Sequence, residues 1–336
     1  MARKSSSAKA TKFATVAASY TAQMHALLDA IITADIDPNS LEAKRVFHGR
    51  GGLYAGCEHL SLDIYPPVWV LTSFQPLSDH DLARVDAAIH ARCAVLGVAE
   101  VNWVYQHRDT GRAETRLMKG VVPDPHVIAE AGCRYLVHVL RGQNHGLFLD
   151  MAAGRAWLHD RISAKSGARV LNLFAYTCAF SVVAKRAGAG DVINLDMSES
   201  ALRIGQQNHQ LNDVAQGARF MAHDLFKSWG KVKRFAPYDV IIVDPPSHQK
   251  GSFVATKDYA RLLRHLDDLC DNGSDVLLCL NAPELSDGYL KTVVAAHAPH
   301  LQFVARVPNP ASFADCSDER SLKVLHYTCR FGDADS

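Results

Sequence analysis

Three stretches carry the side chains best suited to chemistry. Asp196 sits in "NLDMS", Asp224 in "MAHDLF", and Asp244-Pro245-Pro246 in "IIVDPPSH". Each closes an apolar run of strand type. An acidic residue at such a position can accept from the two hydroxyls of a ribose. A second, one strand further on, can accept from the amino group of an adenine. Two successive prolines fix the backbone and remove two N–H donors, which leaves a rigid rim of carbonyl acceptors. A fourth feature precedes them. After "RVLNL" comes the loop of residues 174–178, Phe-Ala-Tyr-Thr-Cys, where a nucleotide-binding turn belongs but no glycine stands. Taken singly, Asp196 and Asp224 could each cap a helix, and Asp-Pro-Pro could be only a turn. Their recurrence at successive strand ends argues for one shared nucleoside site.

The elements that must position these residues alternate. Strand-type runs "RVLNLF", "DVINLD", "ARFMAHD", "YDVIIVD", "DVLLCLN" and "LQFVARV" are separated by helical patterns such as "SESALRIGQQNHQLND" and "KDYARLLRHLDDLCD". Strict alternation implies right-handed crossovers and a parallel, doubly wound α/β sheet. The last run, "SLKVLHYTCR", follows "LQFVARV" through a loop alone, which predicts an antiparallel closing hairpin. Ligands bind such sheets outside the carboxyl ends of the strands, at the point where strand order reverses.

Upstream, the texture differs. "AKRVFHG", "HLSLDIY" and "VWVLTSF" are short β-type runs broken by Gly or Pro; helical "DHDLARVDAAIHARCAVLG" and the runs "EVNWVYQH" and "TRLMKGV" follow. Two strands, a helix and two strands are the expected content of a small α+β domain. The predicted organisation is a basic tail and helix over residues 1–38, the small domain over 39–135 as a substrate-recognition module, and the α/β domain over 136–336. The basic N-terminal stretch reads as a tail, with an arm touching RNA as the sharper alternative.

The missing glycines discriminate between adenosine cofactors. Dinucleotides need glycine so that backbone can approach a pyrophosphate. S-adenosylmethionine has no phosphate, and its loop need only curve around a methionine tail and a cationic sulfur. The pattern therefore favours S-adenosylmethionine.

The motifs "GLFLDM" (146–151), "LNLFAYT" (171–177), "NLDMS" (194–198), "DLFKSW" (224–229) and "IIVDPPSH" (241–248) resemble those of class I S-adenosylmethionine-dependent methyltransferases. More narrowly, they are similar to the bacterial large-subunit ribosomal RNA methyltransferases that include cytosine-C5 and guanine-N7 enzymes of 23S RNA. The resemblance is good from about residue 136 to 330 and weaker in the small domain, where "RVFHGRGGLYAG" echoes the family. It implies a Rossmann-like seven-stranded methyltransferase sheet and the following roles. Phe148 and Asp150 would line the cofactor site, and Asn172, Phe174 and Thr177 would hold the methionine end. Asp196 would take the ribose, Asp224 the adenine, and Asp244 would sit by the reactive methyl. Cys178 stands where the family usually carries glycine; it would either narrow the methionine pocket or cap the following helix.

The acceptor atom is argued from what is absent. Cytosine C5 needs a thiolate that adds at C6. The turn after the fifth strand carries Asn281 instead, and Ser247 follows Asp-Pro-Pro. Cys279 is a fallback nucleophile with a core position as its plainer reading. A nitrogen acceptor needs only orientation, for which Asp244, Pro245, Pro246 and Asn281 are the candidates, with His248, Phe253 and Tyr259 available to stack a base. A nitrogen of ribosomal RNA, 23S or a precursor, is the expected target; a small molecule or protein is the alternative, and a cofactor-binding adaptor without catalysis a third reading.

Composition narrows the classes. A 336-residue chain with 48% hydrophobic and 21% charged residues can bury sizeable cores, and its formal charge of +1 excludes a strongly basic nucleic-acid binder. Three local basic clusters remain: Lys250, Lys257, Arg261 and Arg264; Lys227, Lys231, Lys233 and Arg234; Arg108, Arg112, Arg116 and Lys119. The eight cysteines form no Cys-x-x-Cys pair and read as reduced core thiols. No metal-ligand spacing and no membrane-length apolar run occur, so a cytoplasmic protein without metal or membrane partner is expected.

Overall fold

The computed structural model describes residues 24–109, 112–246, 248–249 and 253–331. The basic N-terminal tail lies outside these, as do Ser247 and Lys250. The described chain divides into two compact units: residues up to His126 with His138–His145 and Ser312–Cys316 in one, and Val127–Val137, Gly146–Ala311 and the remaining C-terminal part in the other.

In the first unit, α1 (His25–Ile32) precedes β1 (Lys44–His48), β2 (Leu60–Tyr65) and β3 (Val68–Ser73); α2 (Asp79–Val95) then leads to β4 (Asn102–Asp109) and β5 (Arg112–Lys119). The sheet runs β1-β2-β3-β4-β5. Three strands therefore precede the long helix, not two. The run "KRVFH" is short and interrupted by a bulge, but it pairs antiparallel with β2 and completes the edge. Helix α2 is the crossover between β3 and β4, the parallel pair. Ser78 caps it, accepting from the Asp81 N–H at 3.1 Å. Its apolar stripe, Leu82, Val85 and Ile89, packs with Leu27 and Ile31 of α1 on Leu62, Leu71 and Trp103 of the sheet.

The second unit opens within β6 (His126–Glu130), which forms a hairpin with β7 (Cys133–Val137), followed by a short turn Leu149–Met151 and α3 (Ala152–Ala164). It continues β8 (Arg169–Leu173), α4 (Ala179–Arg186), β9 (Asp191–Asp196), α5 (Glu199–Leu211), β10 (Ala218–Ala222), α6 (Trp229–Lys233) and β11 (Tyr238–Val243). After the two-residue strands β12 (His248–Gln249) and β13 (Phe253–Val254) come α7 (Ala255–Leu263), β14 (Cys270–Leu280), α8 (Asp287–His297), β15 (Leu301–Arg306) and β16 (Lys323–Cys329).

The seven-stranded sheet has the order β10-β9-β8-β11-β14-β16-β15. Strands β8 to β11 and β14 are parallel neighbours. The expected closing hairpin is present, and β16 inserts antiparallel between β14 and β15. Continuous apolar runs such as "VIIV" in β11 follow from burial on both faces. Leu171, Ile193, Ile241, Val276 and Leu278 face one side, covered by Leu262 and Leu263 of α7 and Leu290 and Val294 of α8. Val170, Val192, Ile242 and Leu277 face the other, covered by Leu158 and Ile162 of α3 and Phe180 and Ala184 of α4. Strand order reverses between β8 and β11, the place where a doubly wound sheet takes its ligand.

Candidate active site

Parallel register sets the geometry of the site. Leu173 lies opposite Leu195 and Val243, Asp196 opposite Ala222, and Val243 opposite Leu278. The loop 174–178, Asp196, Asp224, Asp244 and Asn281 therefore emerge from one edge of one sheet.

The loop without glycine does what glycines usually do. Phe174, Tyr176 and Cys178 all adopt left-handed backbone, with φ of 58°, 47° and 62°. Each such residue costs about 1–2 kcal/mol. The loop is fastened accordingly. The Ala175 N–H donates to Leu195 O at 3.0 Å and the Cys178 N–H to Ala175 O at 2.7 Å. The Tyr176 N–H donates to Asp196 Oδ2 at 2.9 Å. The Thr177 hydroxyl donates to Gly146 O at 2.5 Å. Asn208 Nδ2 donates to Thr177 O at 2.9 Å. Gly146 permits this approach: with φ of 106°, an added Cβ would lie 2.7 Å from Leu136 O.

Asp196 is thus more than a strand end. Its other oxygen accepts from the Ser198 N–H at 2.7 Å, while Ser198 itself caps α5 by accepting from Ala201 N–H at 3.2 Å. The cap reading of Asp196 gives way to that of a carboxylate tying the loop to β9. For Asp224 the cap is real: it accepts from the Phe226 N–H at 3.0 Å and lies 3.4 Å from the Lys227 amine. Asn172 is placed elsewhere than expected. It is buried under α4, where its amide donates to Asn194 Oδ1 at 2.9 Å; Asn194 in turn donates to Ser181, whose hydroxyl pairs with His209. This polar network is internal to the sheet–helix interface.

Cys178 neither caps α4 by a hydrogen bond nor opens onto the loop's outer side. It is buried against α5, where an added Cβ on Gly205 would lie 2.5 Å from its sulfur and 3.0 Å from its Cβ. The pair is complementary, and Gly205→Ala alone is expected to cost about 1–3 kcal/mol by overpacking. Cys178→Gly relieves left-handed strain but leaves a void, so it stays within about 1 kcal/mol of the parent. The double variant should recover the loss of Gly205→Ala. A urea-unfolding cycle showing simple additivity would refute the coupling.

A wall beside the loop is formed by Phe148, with Asp150 two residues further on in the turn before α3. Phe148 is 41% exposed, and its ring lies 5.4 Å from that of Tyr176. One residue that sequence reasoning missed holds this wall. Arg155 of α3 is buried, donates to both oxygens of Glu130 at 2.6 and 2.7 Å, and donates to Phe148 O at 2.8 Å. Burial opposes its charge, but Glu130 first, then Tyr135 and Asp150, outweigh that and hold the guanidinium ionised. Its signal in the sequence was a lone cation on the apolar face of "AAGRAWLHDRISA", three residues before Leu158.

Asp244 leaves β11 with part of its surface open, yet its carboxyl lies deep enough for burial to dominate. Desolvation, reinforced by the Asp150 carboxylate and opposed by Arg155, pushes its pKa up to about 7. Pro245 is buried and Pro246 half-buried behind it. Asn281 is exposed at the end of β14. Phe253 and Tyr259 are 1% and 0% exposed, so they cannot stack an incoming base. Their rings pack 5.3 Å apart under Phe174 and Phe226 as core. The side chain of His248 lies outside the described residues.

The basic clusters are partly neutralised. Lys227 and Lys233 pair with Asp224 and Asp268, and Arg261 sits 4.2 Å over the Phe226 ring. Seven cysteines are buried and Cys316 is exposed. No metal-binding cluster occurs among the described residues, and no described helix is long and apolar enough to cross a membrane.

The donor set fits S-adenosylmethionine. Asp196 is bonded to the loop, Asp224 and Asp244 follow neighbouring strand ends, and Asp150 is near enough to Asp244 to raise its pKa; such an acidic set would repel a pyrophosphate and suits a cation.

Comparison with known proteins agrees. A ribosomal RNA large subunit methyltransferase I of Aeromonas salmonicida is 31% identical over 195 residues, 57% of this chain and 48% of its own length. A ribosomal RNA large subunit methyltransferase of Deinococcus radiodurans is 32% identical over 212 residues, 60% of this chain and 50% of its own. The chain spans about half the length of these curated relatives. A candidate SAM-dependent methyltransferase from Streptococcus mutans superposes with a TM-score of 0.75 at 21% identity, over 92% of this chain and 81% of its own, and so shares the fold. Residues 44–328, taking in most of both units, match the profile of one family, and by that match, joined to the sheet order and the strand-end carboxylates, the chain belongs to the S-adenosylmethionine-dependent methyltransferases.

Proposed function

We propose that this chain methylates a base nitrogen of large-subunit ribosomal RNA. The names of the curated relatives and the shared motifs support RNA as the substrate class. The observation that carries the nitrogen assignment is the state of Cys279. It is fully buried, and its backbone carbonyl accepts from the Tyr259 hydroxyl. Burial first, then the Asp244 and Asp150 carboxylates, push its thiol well above the ordinary range. A thiol so placed does not ionise near neutrality and cannot reach a base, and the attack that C5 methylation requires needs a thiolate.

S-adenosylmethionine, when bound, supplies a methyl group on a positively charged sulfur. The chain's own contribution is to hold and orient. Asp196 with the 174–178 loop, Thr177 and Phe174 would bind one part of the cofactor, and Asp224 the adenine. Phe148 and Asp150 form the wall that Arg155 fixes. Asp244, poised near neutrality, can accept a hydrogen bond or a proton from an amino acceptor. The carbonyls of the Pro245–Pro246 turn and the Asn281 amide can orient the same group.

The test is nucleoside mass spectrometry of ribosomal RNA from a strain lacking the gene. One methylated nucleoside should be missing, and the purified protein should restore it on that RNA. Cys279→Ala should restore it within about tenfold of the parent, apart from the stability loss of a small buried truncation. A covalent complex trapped on 5-fluorocytosine RNA that disappears in Cys279→Ala would overturn the nitrogen assignment. Methylation of protein or of a metabolite, with no RNA change, would overturn the substrate class.

A further inference from the structure

Helix α5 supports the 174–178 loop with one short face. Gly205 makes room for the Cys178 side chain, and Asn208, about one turn further on, reaches the loop's backbone. Asn208 is fully buried. Asparagine is a poor residue for a helix interior, and its amide is costly to bury unsatisfied. Here both ends of the amide are engaged. Its Nδ2 donates to Thr177 O at 2.9 Å, and its Oδ1 accepts from the Leu136 N–H of β7 at 2.8 Å. One partner can only accept and the other can only donate, so the network permits a single orientation of the amide.

The second of these links runs to the edge of the β6–β7 hairpin. Asn212, just past the end of α5, accepts from the Arg134 N–H at 2.8 Å and donates to Arg134 O at 2.7 Å. Asn208 and Asn212 thus meet alternate residues of β7, as a neighbouring strand would. The bonds of Asn212 serve the hairpin and its own helix, where it also donates to Asn208 O at 2.7 Å. Those of the Asn208 side chain serve the hairpin and the loop together.

Thr177 lies between two left-handed residues, Tyr176 and Cys178. Its hydroxyl donates to Gly146 O at 2.5 Å and its carbonyl is held by Asn208. Left-handed backbone without glycine has lower-energy alternatives, so the loop keeps its curvature only while its ties hold. Losing the Asn208 tie frees the peptide that leads into α4.

We infer that Asn208 is a positioning residue for S-adenosylmethionine binding: it fixes the Thr177 carbonyl, and so the curvature of the 174–178 loop, against the β6–β7 hairpin. This rests on the reading that the 174–178 loop holds the cofactor. Binding is tighter when the loop is already in its bound shape, and the amide supplies that preorganisation.

The test is calorimetric affinity of the full chain for S-adenosylmethionine, beside urea unfolding, on Asn208→Leu, Asn212→Leu and Asn208→Asp. Asn208→Leu should bind about tenfold more weakly, the scale of one buried hydrogen bond, and unfold at lower urea. Asn212→Leu, which leaves the Thr177 tie in place, should unfold at lower urea with unchanged affinity. Asn208→Asp separates position from packing. Its carboxyl keeps the shape and can accept from the Leu136 N–H. Ionised, it has no proton for Thr177 O; protonated, it has one, and burial holds that proton well above the usual carboxylate range. Its Kd relative to the parent at the same pH should therefore stay within about threefold at about pH 5 and reach about tenfold by about pH 9. A ratio that does not change with pH, or an Asn212→Leu that binds as weakly as Asn208→Leu, would overturn the assignment and make Asn208 a structural tie. Asp196→Ala, which cuts the loop's tie to β9, reports on the underlying reading. If it binds the cofactor as the parent does, the loop is not the cofactor site and both fall. If it binds weakly while the Asn208 variants bind as the parent does, only the Asn208 assignment falls.

Discussion

Asp244→Asn should fold, bind S-adenosylmethionine at most modestly worse, and lose about 10²–10³ of its single-turnover methyl-transfer rate, the scale of one removed, positioned polar group. The argument is positional and electrostatic together. The residue ends an apolar strand at the point where the sheet reverses, and a rigid proline pair follows it. Its carboxyl is held near neutrality by burial and by Asp150. An amide of the same shape can still accept a hydrogen bond, but it cannot take a proton. Near-normal turnover in Asp244→Asn, with saturating cofactor and RNA from the deletion strain, would make the Asp-Pro-Pro turn structural.

The same carboxyl gives a signed pH dependence. Its pKa rises from 3.8 to about 7 on folding, so the folded chain holds the proton more tightly than the unfolded one. That contribution is complete below about pH 4 and is lost as pH rises through about 7, to a total of about 4 kcal/mol. Asp244→Asn should therefore gain stability relative to the parent at pH 8 but not at pH 4. If the ionised form is the working one, kcat/KM of the parent should climb as pH passes about 7.

Much of this arrangement was legible beforehand, and the reasons are physical. Strict alternation of apolar strand-type runs with helical patterns implies a parallel sheet, and acidic residues at the ends of successive runs then share its carboxyl edge, so the common edge of Asp196, Asp224 and Asp244 followed. The left-handed backbone at Phe174, Tyr176 and Cys178 was not legible, because nothing in a non-glycine side chain announces positive φ; it is held by hydrogen bonds to the carbonyls of Gly146 and Leu195 and from the Asn208 amide, all distant in sequence. Asn172 was assigned to the methionine end by resemblance to the family, but a buried amide partner, Asn194, satisfies it internally. Phe253 and Tyr259 looked like base-stacking rings after the proline pair. A two-residue strand and the apolar stripe of α7 turn them inward instead.

Arg155→Met should be the most destabilising substitution near the site, by about 3–5 kcal/mol in urea unfolding. The methionine fills the space. It leaves the Glu130 carboxylate, 12% exposed, without its cation, and it leaves the Phe148 carbonyl without the donor at 2.8 Å. A buried ion pair adds little over an apolar pair of similar volume, but half of one is costly. Arg155→Met with Glu130→Leu should therefore regain most of the lost stability. It should not regain cofactor affinity, because no donor then fastens Phe148 and the wall that carries Asp150. Arg155 also lowers the Asp244 pKa, so the double variant's pH profile should move upward from that of the parent. Stability and binding separate in this pair of measurements. If the double variant binds S-adenosylmethionine as the parent does, with the same pH profile, the Arg155–Glu130 pair is only a tie between the β6–β7 hairpin and α3. If Arg155→Met alone unfolds at the parent's urea concentration, the charge is not buried in solution and the wall is held by packing.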